Sequence, residues 1–177
     1  KSPLWIIDLP GLFDRVGQPY TDGHGHSWHD NPLRFTAFCE AASVLATDGL
    51  GLGWRADVVH ANDWQTGLLP AFMSLETEPP HTVFTIHNLA YDCQFDYGTF
   101  QSLHLPNPWW SMERGEFYDR FSMLKSGIMF SDHITTVSPR YAEEIRYPEQ
   151  GYGYASILQA QAHKLSGILN GIDDRVW

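Results

Sequence analysis

Two short stretches of the sequence place polar side chains directly after runs of apolar and β-branched residues. Residues 58–72 read VVHANDWQTGLLPAF, and residues 82–91 read TVFTIHNLAY. Short apolar runs of this kind are typical of fully buried strands in a parallel sheet. In open α/β sheets, ligands bind outside the carboxyl ends of the strands. We therefore expect the polar residues that follow these runs, Asp63 and the pair His87-Asn88, to belong to a ligand site.

The polar residues of the first stretch have structural explanations as well as functional ones. Asp63 stands where a helix is expected to begin, so its carboxylate could cap backbone N–H groups or bind a hydroxylated ligand. His60 is better explained as a hydrogen-bonded structural histidine than as a catalyst. Trp64 could stack against a sugar ring or pack in the core. The sequence alone leaves these alternatives open.

His87 and Asn88 are the stronger candidates for function. The residues after them, Leu89-Ala90-Tyr91, do not begin a helix, so neither side chain has a capping role in the sequence. A polar pair without a local structural role at the end of a strand favours function. Imidazole and amide groups suit hydrogen bonding to sugar hydroxyls and to carbonyl or phosphate oxygens.

Other polar motifs in the sequence predict turns and loops rather than chemistry. The loop 22–30, DGHGHSWHD, has several histidines, but its glycines and the lack of a second ligand set argue against a metal site. It is better explained as a mobile loop that faces the substrate. Asn170-Gly171 predicts a turn after a strand. Because the sequence has no Gly-x-Ser-x-Gly elbow and no complete dinucleotide or Walker loop, we predict neither a cofactor nor a metal.

The elements that must position these residues alternate between strands and helices, which indicates βαβ units and a mostly parallel sheet. We therefore predict an α/β, Rossmann-like sheet flanked by helices, in one domain or part of one. Apolar runs predict strands at 4–7, 56–60, 82–86, 133–137 and 165–169. Capping and periodicity predict helices from Asn31-Pro32 to about 48 and over 64–75, 117–130, 138–145 and 154–162, with 91–116 irregular. The first helix carries its apolar residues on one predicted face: Leu33, Phe38, Ala41, Ala42 and Leu45.

The composition excludes several classes of function. With 177 residues, 43% of them hydrophobic and 14% aromatic, the chain can bury the core of one domain. A formal net charge of −10 with only 11 Lys and Arg argues against nucleic acid and against an anionic membrane surface as partners. No apolar run approaches the ~20 residues of a membrane-spanning helix. Cys39 and Cys93 give no disulfide framework, which indicates reduced thiols in a cytoplasmic protein.

Seven collinear motifs together resemble the bacterial glycogen synthase and plant starch synthase family. Any one of them is weakly specific, whereas seven in the same order and with similar spacing are highly specific. The motifs are PLWIIDLPGLFDR (3–15), PYTD (19–22), DNPLRF (30–35), DVVHANDWQTGLLPAF (57–72), TVFTIHNLAY (82–91), EFYDRFSMLKSGIMFSDHITTVSPRYAEEI (116–145) and LSGILNGIDDRVW (165–177).

The resemblance implies the N-terminal half of a GT-B fold, in which two Rossmann-like domains face a cleft. It also implies transfer of glucose from ADP-glucose to the non-reducing end of an α-1,4-glucan, with retention of configuration and no metal. By match to the family motifs, His87 and Asp63 would be the catalytic residues. The side chain of His87 would contact the glucosyl group, and its backbone carbonyl would stabilise oxocarbenium-like charge. The implied substrate-binding residues are Asn88, Trp64, Tyr20 and, on the donor side, Asn170.

The sequence departs from the family in two ways. The family continues Ala-Tyr-Gln-Gly after His-Asn-Leu, whereas here Ala90-Tyr91 is followed by Asp92-Cys93. This departure implies a changed substrate preference or a lost activity. The thiol of Cys93 is better explained by inert packing than by reactivity. The family's Lys-Thr-Gly-Gly-Leu phosphate loop, with its first strand, and its second domain are also absent from these residues. We therefore expect residues 1–177 to form a partial N-terminal domain that is inactive alone.

Two alternative functions remain open on the sequence. The first is a non-catalytic glucan-binding module that has kept the same scaffold, suggested by the pair Asp92-Cys93. The second is a GT-B glycosyltransferase that uses another sugar donor, because the resemblance assigns the residues that select the nucleotide to the absent domain.

Overall fold

The computed structural model describes residues 4–172, which form a parallel sheet with helices packed against it and a second, smaller sheet. The strands are β1 (Val58–Asn62), β2 (His81–Ile86), β3 (Gln94–Phe95), β4 (Glu116–Phe117), β5 (Arg120–Ser122), β6 (His133–Thr136) and β7 (Leu165–Gly167). The α-helices are α1 (Pro10–Phe13), α2 (Asn31–Ala46), α3 (Leu69–Met73), α4 (Tyr97–Ser102), α5 (Met123–Phe130), α6 (Pro139–Glu144) and α7 (Ala155–Ala160), with short 3-10 helices at Trp64–Thr66, Asn107–Trp109 and Ala162–Lys164.

The main sheet has four strands in the order β1-β2-β6-β7, all parallel. This confirms the predicted α/β class and four of the five predicted strands, with ends shifted by a residue or two. The register of β1 on β2 pairs Asn62 with Thr85. The segments that follow these two strands therefore leave the sheet side by side, as a site at the carboxyl ends of parallel strands requires.

The core lies between the sheet and helix α5. Phe84, on the central strand β2, is fully buried, as is Ile134 on β6. Helix α5 approaches the sheet at Gly127, where an added Cβ would lie 2.5 Å from the Phe84 ring. The bare glycine backbone therefore sets how closely this helix packs over the strands that carry the site.

The strand predicted at residues 4–7 is wrong. Residues 4–9 form no strand, and Leu4 and Ile6 are more than three-quarters exposed. A strand needs a neighbour to satisfy its backbone hydrogen bonds, and within residues 4–172 none pairs with this segment. The prediction that β1 is fully buried is also wrong, because β1 lies at an edge of the described sheet and leaves Val58 and His60 exposed.

Helix α2 begins one residue earlier than the predicted start at Pro32. Its predicted core face is correct only in part, because Phe38 and Ala42 are half-buried against the core. Asn31 is the first helical residue, and its side chain caps nothing. The buried side of the helix carries Phe35, Cys39 and Ala46, whereas Leu33 is half exposed. Because this helix is apolar on nearly every side, the periodicity could not determine which face packs against the core.

Two other predicted helices are interrupted. Residues 64–75 form a 3-10 turn and then the short helix α3. Residues 117–130 begin as a hairpin between β4 and β5, whose turn residues Tyr118 and Asp119 both have positive φ, before α5 starts at Met123. The hairpin pairs with β3, which lies in the region predicted to be irregular, and the three strands form an antiparallel sheet.

The predicted helices near 138–145 and 154–162 are present as α6 and α7. The hydroxyl of Ser138 accepts a hydrogen bond from the backbone N–H of Tyr141, so the predicted cap with proline at the first helical position is confirmed. In the described part of the chain, no helix has the length and apolar character needed to cross a membrane.

Candidate active site

A cavity of about 200 Å³ lies at the carboxyl ends of β1 and β2. It brings together four residues that the sequence singled out as site residues: Tyr20, Asp63, Trp64 and Asn88. The side chains of Gln65 and Tyr91 complete its wall. These residues come from three separate segments of the chain, and the parallel pairing of β1 and β2 is what brings two of the segments together.

Asp63 connects the two strand-end motifs directly. Its backbone N–H donates to the carbonyl of Thr85 at 2.9 Å, as the next bond of a parallel ladder would. Its φ of +55° and ψ of −179° then turn its own carbonyl away from β2, and its side-chain Oδ1 accepts the backbone N–H of His87 at 2.8 Å. The carboxylate therefore takes the place of the missing ladder carbonyl.

The interpretation of Asp63 as a helix cap is wrong. Its side chain makes no capping hydrogen bond to the 3-10 turn that follows. The backbone conformation it adopts is one that residues other than glycine rarely take, and such strain is concentrated at functional sites. The positive φ keeps the carboxylate at the wall of the cavity, where it can also face a ligand.

The imidazole of His87 is exposed at the end of β2 and has one side-chain partner. Its Nε2 lies 2.9 Å from Oδ1 of Asn62, the last residue of β1. If Oδ1 accepts, Nε2 carries the proton and Nδ1 is left as an acceptor. Asn62 therefore orients the ring of His87, and Asp63 holds the backbone of the same residue. The last residue of β1 and the residue that follows it together fix the position of one histidine.

Asn88 has a local structural role, contrary to the prediction that it has none. Its Oδ1 accepts the backbone N–H of Ala90 at 3.0 Å, which closes a tight turn directly after β2. The hydroxyl of Tyr141, on α6, accepts the N–H of Leu89 at 3.0 Å. Burial raises the pKa of the Tyr141 phenol, which keeps it neutral. The turn that carries Asn88 into the cavity is therefore held from two sides.

Tyr20 is positioned by a buried arginine that the sequence analysis did not identify. The Arg34 guanidinium is 2% exposed and donates to the carbonyls of Leu12 and Pro19 and to the Asn31 side chain, all at 2.7–2.8 Å. The amide of Asn31 in turn donates to the carbonyl of Tyr20 at 2.9 Å. Since no regular strand or helix holds this segment, these hydrogen bonds fix the loop that brings Tyr20 to the cavity.

Trp64 serves mainly as core. It is 5% exposed, and its ring packs edge-on against Phe35 and Tyr20 at centroid distances of 4.8 and 5.9 Å. One edge still lines the cavity. His60 has a structural partner, because its Nε2 lies 2.6 Å from the Thr85 hydroxyl. The structural interpretation of His60 is therefore the one that the geometry supports.

Asn170 and the histidine loop lie apart from this cavity. Asn170 is exposed, three residues after β7, and does not line the cavity; the last residues of its motif, 173–177, fall outside the described residues. In the loop 22–30, the carboxylate of Asp22 accepts the backbone N–H groups of His24 and His26, which makes a turn. Between residues 4 and 172, no group of three or more His, Cys, Asp or Glu side chains is arranged to hold a metal ion.

The unusual pair Asp92-Cys93 has a structural explanation. The Asp92 carboxylate accepts hydrogen bonds from the backbone of Leu124, at the start of α5, and from the hydroxyls of Ser122 and Tyr154 at 2.5–2.9 Å. Burial raises the pKa of the Cys93 thiol to about 12, and that of Cys39 likewise. Both cysteines are free and buried. Asp92 thus anchors the segment after the cavity, and Cys93 packs as an inert thiol.

Several residues of this site were not predicted from the sequence. Asn62 stood in the first motif, next to Asp63, and the alternation of a strand could have indicated that its side chain points away from the core. Tyr91 stood beside Asn88 in the second motif. Tyr141 and Arg34 carried no such indication, because their roles depend on contacts between segments that lie 52 and 22 residues apart in the chain.

Comparison with known proteins identifies relatives over the whole length of the chain. A family profile described as the starch synthase catalytic domain matches residues 1–160. Among curated proteins, a glycogen synthase from Cellvibrio japonicus is 51% identical over 100% of this chain, and glycogen synthase 1 from Methylococcus capsulatus is 53% identical over 99% of it. The chain spans only 37% and 36% of these two relatives, respectively.

A solved structure shares the fold. The catalytic domain of starch synthase IV from Arabidopsis thaliana, bound to ADP and acarbose, superposes with a TM-score of 0.80 at 32% sequence identity. The match covers 96% of this chain and 34% of that one. In each comparison, this chain matches about a third of a longer protein.

Proposed function

The chain belongs to the starch synthase catalytic domain family, and we propose that it is part of a glycogen or starch synthase that transfers glucose from ADP-glucose to an α-1,4-glucan. The acceptor is the non-reducing end of the glucan, and the configuration of the anomeric carbon is retained. In our proposal this chain is the acceptor and sugar side of a GT-B cleft, and the nucleotide side is provided by a phosphate loop and a second domain elsewhere in the parent.

The observation that carries the proposal is the cavity that unites Tyr20, Asp63, Trp64 and Asn88 with the adjacent His87. A carboxylate, an amide and a phenol around a space of about 200 Å³ match the hydroxyl groups of a sugar. The chain has a net charge of −10, which suits a neutral glucan better than a polyanionic substrate. The solved relative bound to ADP supports an adenosine diphosphate sugar as the donor.

We assign the chemistry to His87 and Asp63. Transfer breaks the bond between the anomeric carbon and the diphosphate oxygen, so that ADP leaves with the bonding electron pair. It forms a bond from that carbon to an acceptor hydroxyl oxygen, whose proton passes to the departing diphosphate. Positive charge develops on the sugar ring in the transition state, and preorganised dipoles stabilise such charge. The Asp63 carboxylate fixes the N–H of His87, and in our proposal this holds the His87 side chain and carbonyl against the glucosyl group. Asn170 would approach the donor.

Neither a metal nor a cofactor is part of this proposal. We also propose a cytoplasmic location, where nucleotide sugars are available and where the thiols of Cys39 and Cys93 stay reduced.

The proposal is tested by assaying glucose transfer from ADP-glucose and UDP-glucose to glycogen with the full-length parent and with the 177-residue chain. We expect turnover with ADP-glucose by the parent and none by the chain. Calorimetry on the parent then separates the alternatives, because a binding module would bind maltooligosaccharides without binding any donor. A parent that binds glucan but neither binds nor consumes ADP-glucose would overturn the proposed reaction.

A further inference from the structure

A second cleft lies beside the proposed reaction cavity and is larger, with a volume of about 360 Å³. One of its walls is the loop before α2, which contributes Ser27 and His29, and the other is the segment from β3 into α4, which contributes Gln94 and Asp96. This volume falls within the ~300–1,000 Å³ that is typical of small-molecule sites. The family motifs identified in the sequence do not include the β3–α4 wall.

The cleft adjoins the reaction cavity. Trp64 lines both spaces, so a single indole forms the partition between them. The consecutive residues Tyr91 and Asp92 also face one space each, Tyr91 the reaction cavity and Asp92 the cleft. A chain molecule that reaches from the reaction cavity into the cleft must therefore pass the edge of Trp64.

The side chains of the cleft suit a neutral polyhydroxylated ligand. The carboxylate of Asp96 and the imidazole of His29 are planar hydrogen-bonding groups that can contact adjacent hydroxyls. The Trp28 indole adds an aromatic surface, against which the C–H face of a sugar ring can pack.

The charges of the cleft disfavour a nucleotide or another phosphorylated ligand. The cleft has one guanidinium, that of Arg120, against two carboxylates, those of Asp92 and Asp96. The backbone N–H of Thr99 lowers the pKa of Asp96, so this carboxylate is charged at neutral pH. Phosphate sites in proteins present an excess of donors and positive charge, which this cleft lacks.

We propose that the cleft binds the glucose units of an α-glucan acceptor that extend beyond the reaction cavity. The inference rests on the proposed function for the identity of the ligand, but it assigns a separate set of residues. Long maltooligosaccharides would fill both spaces, whereas maltose would fill only the reaction cavity. Affinity and catalytic efficiency would then rise with acceptor length, and the rise would depend on His29 and Asp96.

The test is the double variant H29A/D96S in the full-length parent. Serine at position 96 can still cap α4, as Asp96 does by accepting the N–H of Thr99 at 2.7 Å, so the helix is kept while the carboxylate is removed. The matched control is H163A/D57S, which removes the same two kinds of side chain from exposed positions outside both spaces. Thermal unfolding of all three proteins verifies that the fold is retained.

Two measurements are made with maltose and maltoheptaose. The first is the ratio of kcat/KM for maltoheptaose to kcat/KM for maltose, with ADP-glucose as donor. The second is the ratio of the two dissociation constants by calorimetry, which needs no turnover. Because two hydrogen-bonding groups are lost, we expect each length preference to fall by about fivefold to tenfold in H29A/D96S and to stay unchanged in the control.

The outcomes separate this inference from the proposed function. A length preference that is the same in H29A/D96S and in the unmodified parent overturns the cleft assignment, even if glucose transfer is confirmed. An equal loss for maltose and maltoheptaose overturns it too, because the cleft would then not act on chain length. If the parent transfers no glucose, the proposed reaction fails, and the calorimetric ratio still decides whether the cleft binds the longer glucan.

Discussion

The Asp63 carboxylate accepts the backbone N–H of His87 at 2.8 Å, in the place where a backbone carbonyl would continue the β1–β2 ladder. This one hydrogen bond joins the two motifs that stand out in the sequence, 24 residues apart. It also explains the strained backbone of Asp63, because only a residue that turns its own carbonyl away can offer its side chain to β2. The two motifs are therefore one structural unit.

Separating the two roles of Asp63 requires two substitutions. In Asp63→Asn, the amide keeps an oxygen that can accept the His87 N–H, so we expect a free energy of unfolding close to that of the parent. The loss of the negative charge near the developing positive charge should lower kcat by at least about tenfold. In Asp63→Ala, the exposed N–H of His87 can bond to water instead, so the lost hydrogen bond should cost ~0.5–1.5 kcal/mol of stability. Denaturant unfolding and steady-state kinetics on the full-length parent measure both effects; equal kcat in Asp63→Asn and the parent would leave Asp63 a structural role only.

His87→Ala in the parent should lower kcat by about a hundredfold and change KM for the acceptor much less. This is the pattern expected when a contact is made mainly in the transition state. The matched control is His81→Ala, which removes an exposed imidazole from the opposite end of the same strand. Initial rates over a range of donor and acceptor concentrations give the two constants. An effect on KM alone would show that His87 binds the substrate but does not stabilise the transition state.

The sequence predicted the parallel sheet and four of the six residues around the cavity. Asp63, Trp64 and Asn88 follow strand ends, which are local patterns, whereas Tyr20 was implied only by the resemblance to the family. The sequence did not predict that Asp63 bonds to His87 rather than to its own helix. That choice depends on the register of β1 against β2, which no single segment specifies. The sequence also predicted a helix where the β4–β5 hairpin lies. The turn of this hairpin uses Tyr118 and Asp119 at positive φ, where glycine or asparagine would have indicated a turn.

Arg34→Met should destabilise the fold and weaken acceptor binding together. The substitution keeps an apolar stem but leaves the carbonyls of Leu12 and Pro19 without their donor. We expect a loss of about 2–4 kcal/mol in the free energy of unfolding, and a raised KM for the acceptor because Tyr20 is no longer fixed. Arg140→Met, which breaks an exposed ion pair with Glu144, should cost less than ~1 kcal/mol. Similar losses in both variants would contradict the positioning role of Arg34.

Tyr154 should make the free energy of unfolding depend on pH in the alkaline range. Burial, followed by the neighbouring Asp92 carboxylate, raises the pKa of its phenol well above the ordinary value of 10.0. The unfolded chain therefore loses this proton first, and the free energy of unfolding should fall as the pH rises above about 10. In Tyr154→Phe, that part of the fall should disappear, although the raised pKa values of Cys39, Cys93 and Tyr141 leave a remainder. Urea unfolding at pH 8 and pH 10.5 measures the difference; an identical fall in both proteins would exclude the Tyr154 contribution.

Cys93 lies beside the site, where a reactive thiol could take part in chemistry. We expect this thiol to be unreactive. Burial raises its pKa from 9.0 to about 12, so the thiolate fraction near pH 8 is about a thousandfold smaller than for an unperturbed thiol. Cys39 is buried equally well, with its pKa also raised to about 12. We expect neither cysteine to react with a disulfide reagent in the native protein and both to react after denaturation. Rapid native labelling of Cys93→Ser would implicate Cys39, whereas rapid labelling of Cys39→Ser would show that Cys93 is exposed to solvent by an opening of the Asp92 segment.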